Sequence, residues 1–268
     1  MSRLADRFAA LRARGHRALI PFVTAGDPDL AATEALVLAI AAAGADAIEL
    51  GVPFSDPMAE GPTIQRSSER ALRSGTSLRR VLELVKSLRP RLEIPIVLMG
   101  YANPVIAMGE ERFAEAAAAA GVDGAILVDM PPEESAALRG ALAAKGVDAI
   151  LLAAPTTRPE RLAMLARETR GFLYYVSLTG VTGARSDLAA DIEAQVRRAR
   201  EASEIPVCVG FGVSRPEHAR ALARFADGVV VGSALVDRIA TAPSREAAVT
   251  AAAAFVTELA AAVARGRC

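Results

Sequence analysis

The sequence has no tryptophan, three tyrosines, two histidines and two cysteines among its 268 residues. So few large aromatics cannot build a stacking platform for nucleobases. Charge gives no other route to nucleic acid, because 31 basic residues balance 31 acidic ones and no net field draws in a polyanion. Two cysteines make no disulfide framework. Cys208 lies in the apolar run Pro206-Val-Cys-Val-Gly210 and is expected in the core, while Cys268 is the final residue. His16, expected in a loop, and His218, expected on a helix surface, have no metal-ligand spacing, so no metal site is expected. Lysine is nearly missing too. Lys86 and Lys145 both fall in helical stretches, which leaves no candidate for Schiff-base chemistry at a strand end. The start, Met1-Ser-Arg-Leu-Ala-Asp-Arg-Phe8, lacks the apolar core of a signal peptide. The most apolar stretch, Leu36 to Ala45, is too short to cross a bilayer. A soluble, cytoplasmic protein is expected.

What the sequence does have is an alternation. With 52% hydrophobic and 23% charged residues it has the balance of an ordinary globular chain. No Pro/Gly/Ser-rich linker divides it, so a single domain over residues 1–268 is expected. Short β-branched runs are each followed by an Ala/Leu/Arg/Glu stretch with helical spacing. The candidate strands are Leu19–Thr24, Ala47–Gly51, Ile96–Gly100, Gly124–Asp129, Ala149–Ala153, Phe172–Ser177, Val207–Gly210 and Gly228–Val231. These runs are continuously apolar, as parallel strands covered on both faces must be. About eight such units predict an α/β fold, the (β/α)₈ TIM barrel, with extra helices at Arg3–Arg14 and, after the second strand, at Ser77–Leu88. A doubly wound open sheet is the rival, because periodicity does not report closure. Regular unit length and the lack of a first-turn G-x-G-x-x-G favour the barrel.

Barrel chemistry sits at the C-terminal ends of the strands. Glu49, in Asp46-Ala-Ile-Glu-Leu-Gly51, is a carboxylate among apolar neighbours near such an end. Two readings are open for it: an acid/base with a raised pKa, or a strand-end acid paired with an arginine. The loop that follows, Val52 to Pro62, carries Asp56 and Glu60, and either acid could face the mouth beside Glu49. Glycine-rich turns follow the last three strands, at Thr179–Arg185, Gly210–Ser214 and Gly232–Ala234. Convergent turn amides and a helix N-terminus can cradle a phosphate. Together these features point to acid–base chemistry on a small phosphorylated molecule.

Five motifs carry a family resemblance: Pro21-Phe-Val-Thr-Ala-Gly-Asp-Pro28, Glu49-Leu-Gly-Val-Pro-Phe-Ser-Asp-Pro57, Gly61-Pro-Thr-Ile-Gln65, Gly100-Tyr-Ala-Asn-Pro104 and Gly180-Val-Thr-Gly183. In this order and spacing, from about residue 18 to 236, they resemble the tryptophan synthase α chain. The resemblance implies a lyase that splits indole-3-glycerol phosphate into indole and glyceraldehyde 3-phosphate. It implies Glu49 as catalytic acid/base and Phe22, Tyr101, Leu127 and Tyr174 as the indole pocket. Gly183, Gly212, Gly232 and Ser233, with Phe211 alongside, are implied as the phosphate site. Asp56, Asn103 and Asp129 are implied on a face that meets a β chain in an α₂β₂ heterotetramer. Pyridoxal phosphate is expected only in that β partner, and no cofactor in this chain. Two positions depart from the family: Leu178 stands where some members have a polar residue, and Glu60 stands where a second catalytic aspartate is usual, with one more methylene between backbone and carboxylate. Misplacement by about 1 Å can cost on the order of a hundredfold in rate. A non-catalytic subunit that activates the β chain is therefore one rival reading, and another phosphate-binding barrel enzyme is a second.

Overall fold

A computed structural model describes residues 2–176, 186–202, 204–210 and 212–264. The strands are β1 (Ala18–Thr24), β2 (Ile48–Gly51), β3 (Ile96–Gly100), β4 (Gly124–Leu127), β5 (Asp148–Ala149), β6 (Leu152–Ala153), β7 (Leu173–Val176), β8 (Val207–Gly210) and β9 (Gly228–Val231). All pair in parallel, in the order β5-β4-β3-β2-β1-β9-β8-β7-β6. The two ends of that order, β5 and β6, lie on one extended segment. Ile150 N–H donates to Ala125 of β4, and the Leu151 carbonyl accepts from Tyr174 of β7, so the sheet closes through this segment. The fold is the expected (β/α)₈ barrel. The fifth expected strand, Ala149–Ala153, is broken in two because its backbone turns from one neighbour to the other at Ile150 and Leu151. The fourth ends at Leu127 rather than Asp129, whose side chain instead accepts a hydrogen bond from Ala102 N–H at 2.7 Å.

Among the described residues the helices are α1 (Arg3–Ala13), α2 (Leu30–Ala42), α3 (Pro62–Arg73), α4 (Leu78–Leu88), α5 (Ala102–Met108), α6 (Glu110–Ala120), α7 (Ala136–Ala144), α8 (Pro159–Glu168), α9 (Ser186–Ala202), α10 (Pro216–Ala223), α11 (Ser233–Thr241) and α12 (Arg245–Ala264). The expected extra helices are α1 and α4. The short helix expected after Gly232-Ser233 is α11, while the short α5, also at a strand exit, was not anticipated.

Strand alternation divides the core in two. Ile20, Val97, Ile126, Ile150, Phe172 and Cys208 point inward, while Leu19, Ile48, Leu98, Tyr175 and Val209 point out to the helices. α1 closes the bottom of the barrel. Ser2 caps it by accepting from Ala5 N–H, and Leu4, Phe8 and Leu11, spaced to share one face, are buried in the inner cluster. Phe8 meets Phe172 with ring centroids 5.9 Å apart. α12 is 20 residues long and apolar enough to cross a membrane by composition, a stretch that the sequence reading passed over for Leu36 to Ala45. Here it packs on α2, α10 and α11, with Ala252, Phe255, Val256, Leu259 and Val263 buried.

Buried acids tie strand starts to helices. Asp123 accepts from Ile96 N–H at 2.8 Å and from Arg89 at 3.0 Å, and Arg3 pairs with it at 2.5 Å. Asp46 likewise accepts from Leu19 N–H and pairs with Arg7. These contacts lie at the N-terminal ends of the strands.

Candidate active site

Inward-facing positions at the C-terminal strand ends enclose a cavity of about 500 Å³. Register builds its wall. Phe22 of β1 stands beside Glu49 of β2, which stands beside Val97 of β3. Phe22 lies across the next strand only because residue 51 is glycine, where a Cβ would come within 2.5 Å of the ring. Gly210 makes the same allowance for Tyr174, whose hydroxyl would lie 2.4 Å from a Cβ there.

Glu49 is 1% exposed, and neither of its carboxylate oxygens has a hydrogen-bond partner among the described residues. Burial, then repulsion from Glu60, pushes its pKa up to about 8. The arginine-paired reading of Glu49 is thus not what the structure shows. Glu60, on the loop over the mouth, is also raised, first by burial and then by Asp129, with Tyr101 pulling the other way. The Tyr101 hydroxyl donates to Glu60 Oε2 and accepts from Ala59 N–H at 2.9 Å. The Tyr101 ring stacks on Phe54 at 4.8 Å between centroids. Gln65 Nε2 donates to the Glu60 carbonyl at 3.0 Å, fixing the loop from α3. Two carboxyl groups thus share one cavity, the inner one neutral below about pH 8 and the outer one held by a tyrosine.

The opposite rim is a helix start. Gly232, Ser233 and Ala234 line the cavity, and α11 begins there with no side-chain cap. The first N–H groups of a helix have no partner within it, and the macrodipole adds positive potential. Gly212, with φ +46°, lines the cavity beside them. An anionic group is the natural occupant of that rim.

Of the residues expected here, Phe22, Glu49, Glu60, Tyr174, Gly212, Gly232 and Ser233 line this cavity. Leu127 and Tyr101 do not. They border a separate void of about 10 Å³ on the outer side of β3 and β4. Alternation explains Leu127: Ile126 faces inward, so its neighbour faces the helices. Asp56, Asn103 and Asp129 are exposed on the outside of the same mouth. Leu178, Gly183 and Phe211 lie outside the described residues, as does the Thr179–Arg185 turn. The sequence reading missed Ile64 and Met99, which line the cavity beside Phe22 and pack with it and Val236 in one apolar cluster. Met99 was findable, since it follows the inward Val97 by two. It also missed Asp237, which lines the cavity one helical turn after Ser233 and accepts from Thr63 at 3.1 Å. Among the described residues no three His, Cys, Asp or Glu side chains gather as metal ligands.

The family model described as tryptophan synthase alpha chain matches residues 8–264. The chain belongs to the tryptophan synthase α-chain family. It is 61% identical over 236 residues to the tryptophan synthase alpha chain of Geobacter sp. (strain M21), and 62% identical to that of Citrifermentans bemidjiense, covering 88% of each chain in both comparisons. Among solved structures, the α subunit from Legionella pneumophila superposes with a TM-score of 0.90 at 40% identity, covering 98% of both chains. An open form of tryptophan synthase from M. tuberculosis gives 0.89 at 38% identity, covering 98% of this chain and 99% of that one. In this chain the carboxylate at position 60 is a glutamate, and it accepts a hydrogen bond from the Tyr101 hydroxyl.

Proposed function

We propose that this chain cleaves indole-3-glycerol phosphate to indole and glyceraldehyde 3-phosphate, with Glu49 and Glu60 as its catalytic pair. The observation that carries the reading is the buried, unpartnered Glu49 carboxyl in a cavity rimmed across from it by the amides of Gly232 to Ala234. The phosphate would sit on that rim; the family resemblance gives Gly183 and Phe211 a part in binding it as well. The indole ring would lie against Phe22, Ile64, Met99 and Tyr174. Leu127 would support the pocket from behind, and Tyr101 would hold Glu60.

The resting Glu49 is a neutral acid at pH 7, which suits it to give a proton to indole C3. That step leaves positive charge on the ring nitrogen, where the Glu60 carboxylate accepts the N–H. Glu49, now a carboxylate, takes the proton of the hydroxyl on the adjacent glycerol carbon. The oxygen forms the aldehyde carbonyl, the C–C bond breaks, and its electron pair restores the aromatic ring. Glu49 ends protonated, and no redox partner or water is consumed. The steps need no cofactor in this chain. Both lysines are on the outer layer, Lys86 in α4 and Lys145 after α7, so neither can form a Schiff base in the cavity.

The partner in this reading is a cytoplasmic tryptophan synthase β chain, which carries the pyridoxal phosphate of an α₂β₂ assembly. Asp56, Asn103 and Asp129 share the proposed face with two apolar side chains, Met58 at 84% and Ile106 at 57% exposure. Exposed side chains of that size beside polar groups suit a protein interface. The deciding experiment follows indole release by the purified chain, alone and with a β chain. Slow release alone and faster release with the partner is expected. Glu49→Gln should release none while still binding inorganic phosphate, and normal turnover by that variant would remove Glu49 from the mechanism. Glu60→Asp should keep or raise the rate. No release by the parent under either condition, with phosphate still bound, would favour the activating-subunit reading.

A further inference from the structure

A second concavity, about 490 Å³ and so about the size of the catalytic one, opens between α7 and α8. It is at the far end of the barrel, since Thr169 and Arg170 border it just before β7, beside Ala149 of the short β5. One wall is the small-residue face of α7: Ala136, Gly140 and Ala143. Arg139 also projects from α7, and the other wall carries Arg167 and Arg170, so three arginines face one acid, Glu168. Arg139 is held by Glu168 at 2.8 Å and by the Pro132 carbonyl at 3.3 Å, yet its buried Nε–H has no acceptor among the described residues. Arg167 and Arg170 form no salt bridge among the described residues, although Arg170 lies near enough to Asp148 to favour its charged form. Arg167 stands in the last turn of α8, where a cation complements the carbonyl end of the helix. That accounts for one arginine, not for a second beyond the C-cap or for the open space between the helices.

We propose that this groove binds a small organic anion, with a phosphate or carboxylate on Arg167 and Arg170 and an apolar body against Ala136, Gly140 and Ala143. Guanidinium groups suit such acceptors because they present paired, planar donors. The volume lies within the range of metabolite pockets. A modest swing of Arg139 would give its unpartnered Nε–H an acceptor on the ligand. The site is separate from the catalytic cavity and shares no lining residue with it.

The test is a titration of ¹⁵N-labelled protein with phenyl phosphate and, separately, inorganic phosphate, reading amide shifts residue by residue. Saturable shifts are expected at Gly140, Arg167 and Arg170, at lower concentration for phenyl phosphate than for phosphate. Arg167→Ala/Arg170→Ala should weaken binding by about tenfold or more, as loss of charged hydrogen bonds does. Gly140→Glu should abolish it by seating a carboxylate in the groove. That variant keeps the fold, because a Cβ at Gly140 meets nothing within 4 Å and a helical glycine gains propensity on replacement. Shifts confined to Gly212 and residues 232–234, or saturation unchanged in both variants, would overturn the proposal.

Discussion

Glu49→Gln should make the protein more stable at high pH while ending its chemistry. Between the ordinary carboxyl value of 4.5 and about 8, folded Glu49 keeps a proton that the unfolded chain has released. Stability therefore falls as pH rises through that window, because ionising the group in place means burying a charge with no partner. At about 1.4 kcal/mol for each pH step, the displacement from 4.5 to about 8 amounts to an effect on the order of 5 kcal/mol. Side-chain exposure of 1% leaves little solvent to screen it. Glutamine has nearly the same shape and no titration, so it removes this dependence and little else. The assay is urea denaturation of parent and variant from pH 5 to 9. Other buried acids that titrate, such as Asp46 and Asp148, contribute alike to both proteins and cancel in the difference. The difference should grow in favour of glutamine as pH rises, then level off above about 8. A difference that stays flat across the range would refute both the burial argument and the neutral resting state on which the catalytic reading depends.

Three further outcomes follow from the same geometry. Glu60→Gln removes the charge that helps to raise Glu49, so the levelling point in the same denaturation experiment, repeated in that background, should move to lower pH. Gly210→Ala puts a methyl group 2.4 Å from the Tyr174 hydroxyl. It should cost about 1–3 kcal/mol in thermal or urea unfolding and lower kcat/KM for indole release as Tyr174 is displaced. Asp123→Ala strands Arg89, which is mostly buried, and leaves Ile96 N–H without its acceptor. Unfolding should show a loss of about 3–5 kcal/mol, with the KM of the remaining folded enzyme unchanged because these groups lie at the far end of the barrel.

Much of this protein could be read without coordinates. Continuous apolar runs separated by helical stretches specify parallel strands covered on both faces, and eight of them imply the barrel. The same rule places Glu49 at a strand end, where an unpaired acid among apolar neighbours is costly enough to be informative. Local patterns could not show that the segment 148–153 splits between two neighbours, because that depends on how the ring closes. Nor could they separate Leu127 from the mouth. It needed the inward position of Ile126, which a four-residue strand reveals only in register with its partners. Motif order alone could not identify Ile64 and Asp237 as wall residues, since the helices that carry them, α3 and α11, come together only in the folded barrel. Composition and periodicity are local and survive in the sequence. Which side chain faces which, and whether a carboxyl finds a partner, is decided by closure of the sheet. That is why the kind of chemistry was legible in the residues, while the raised acidity of Glu49 and the Tyr101 contact to Glu60 belong to the tertiary structure.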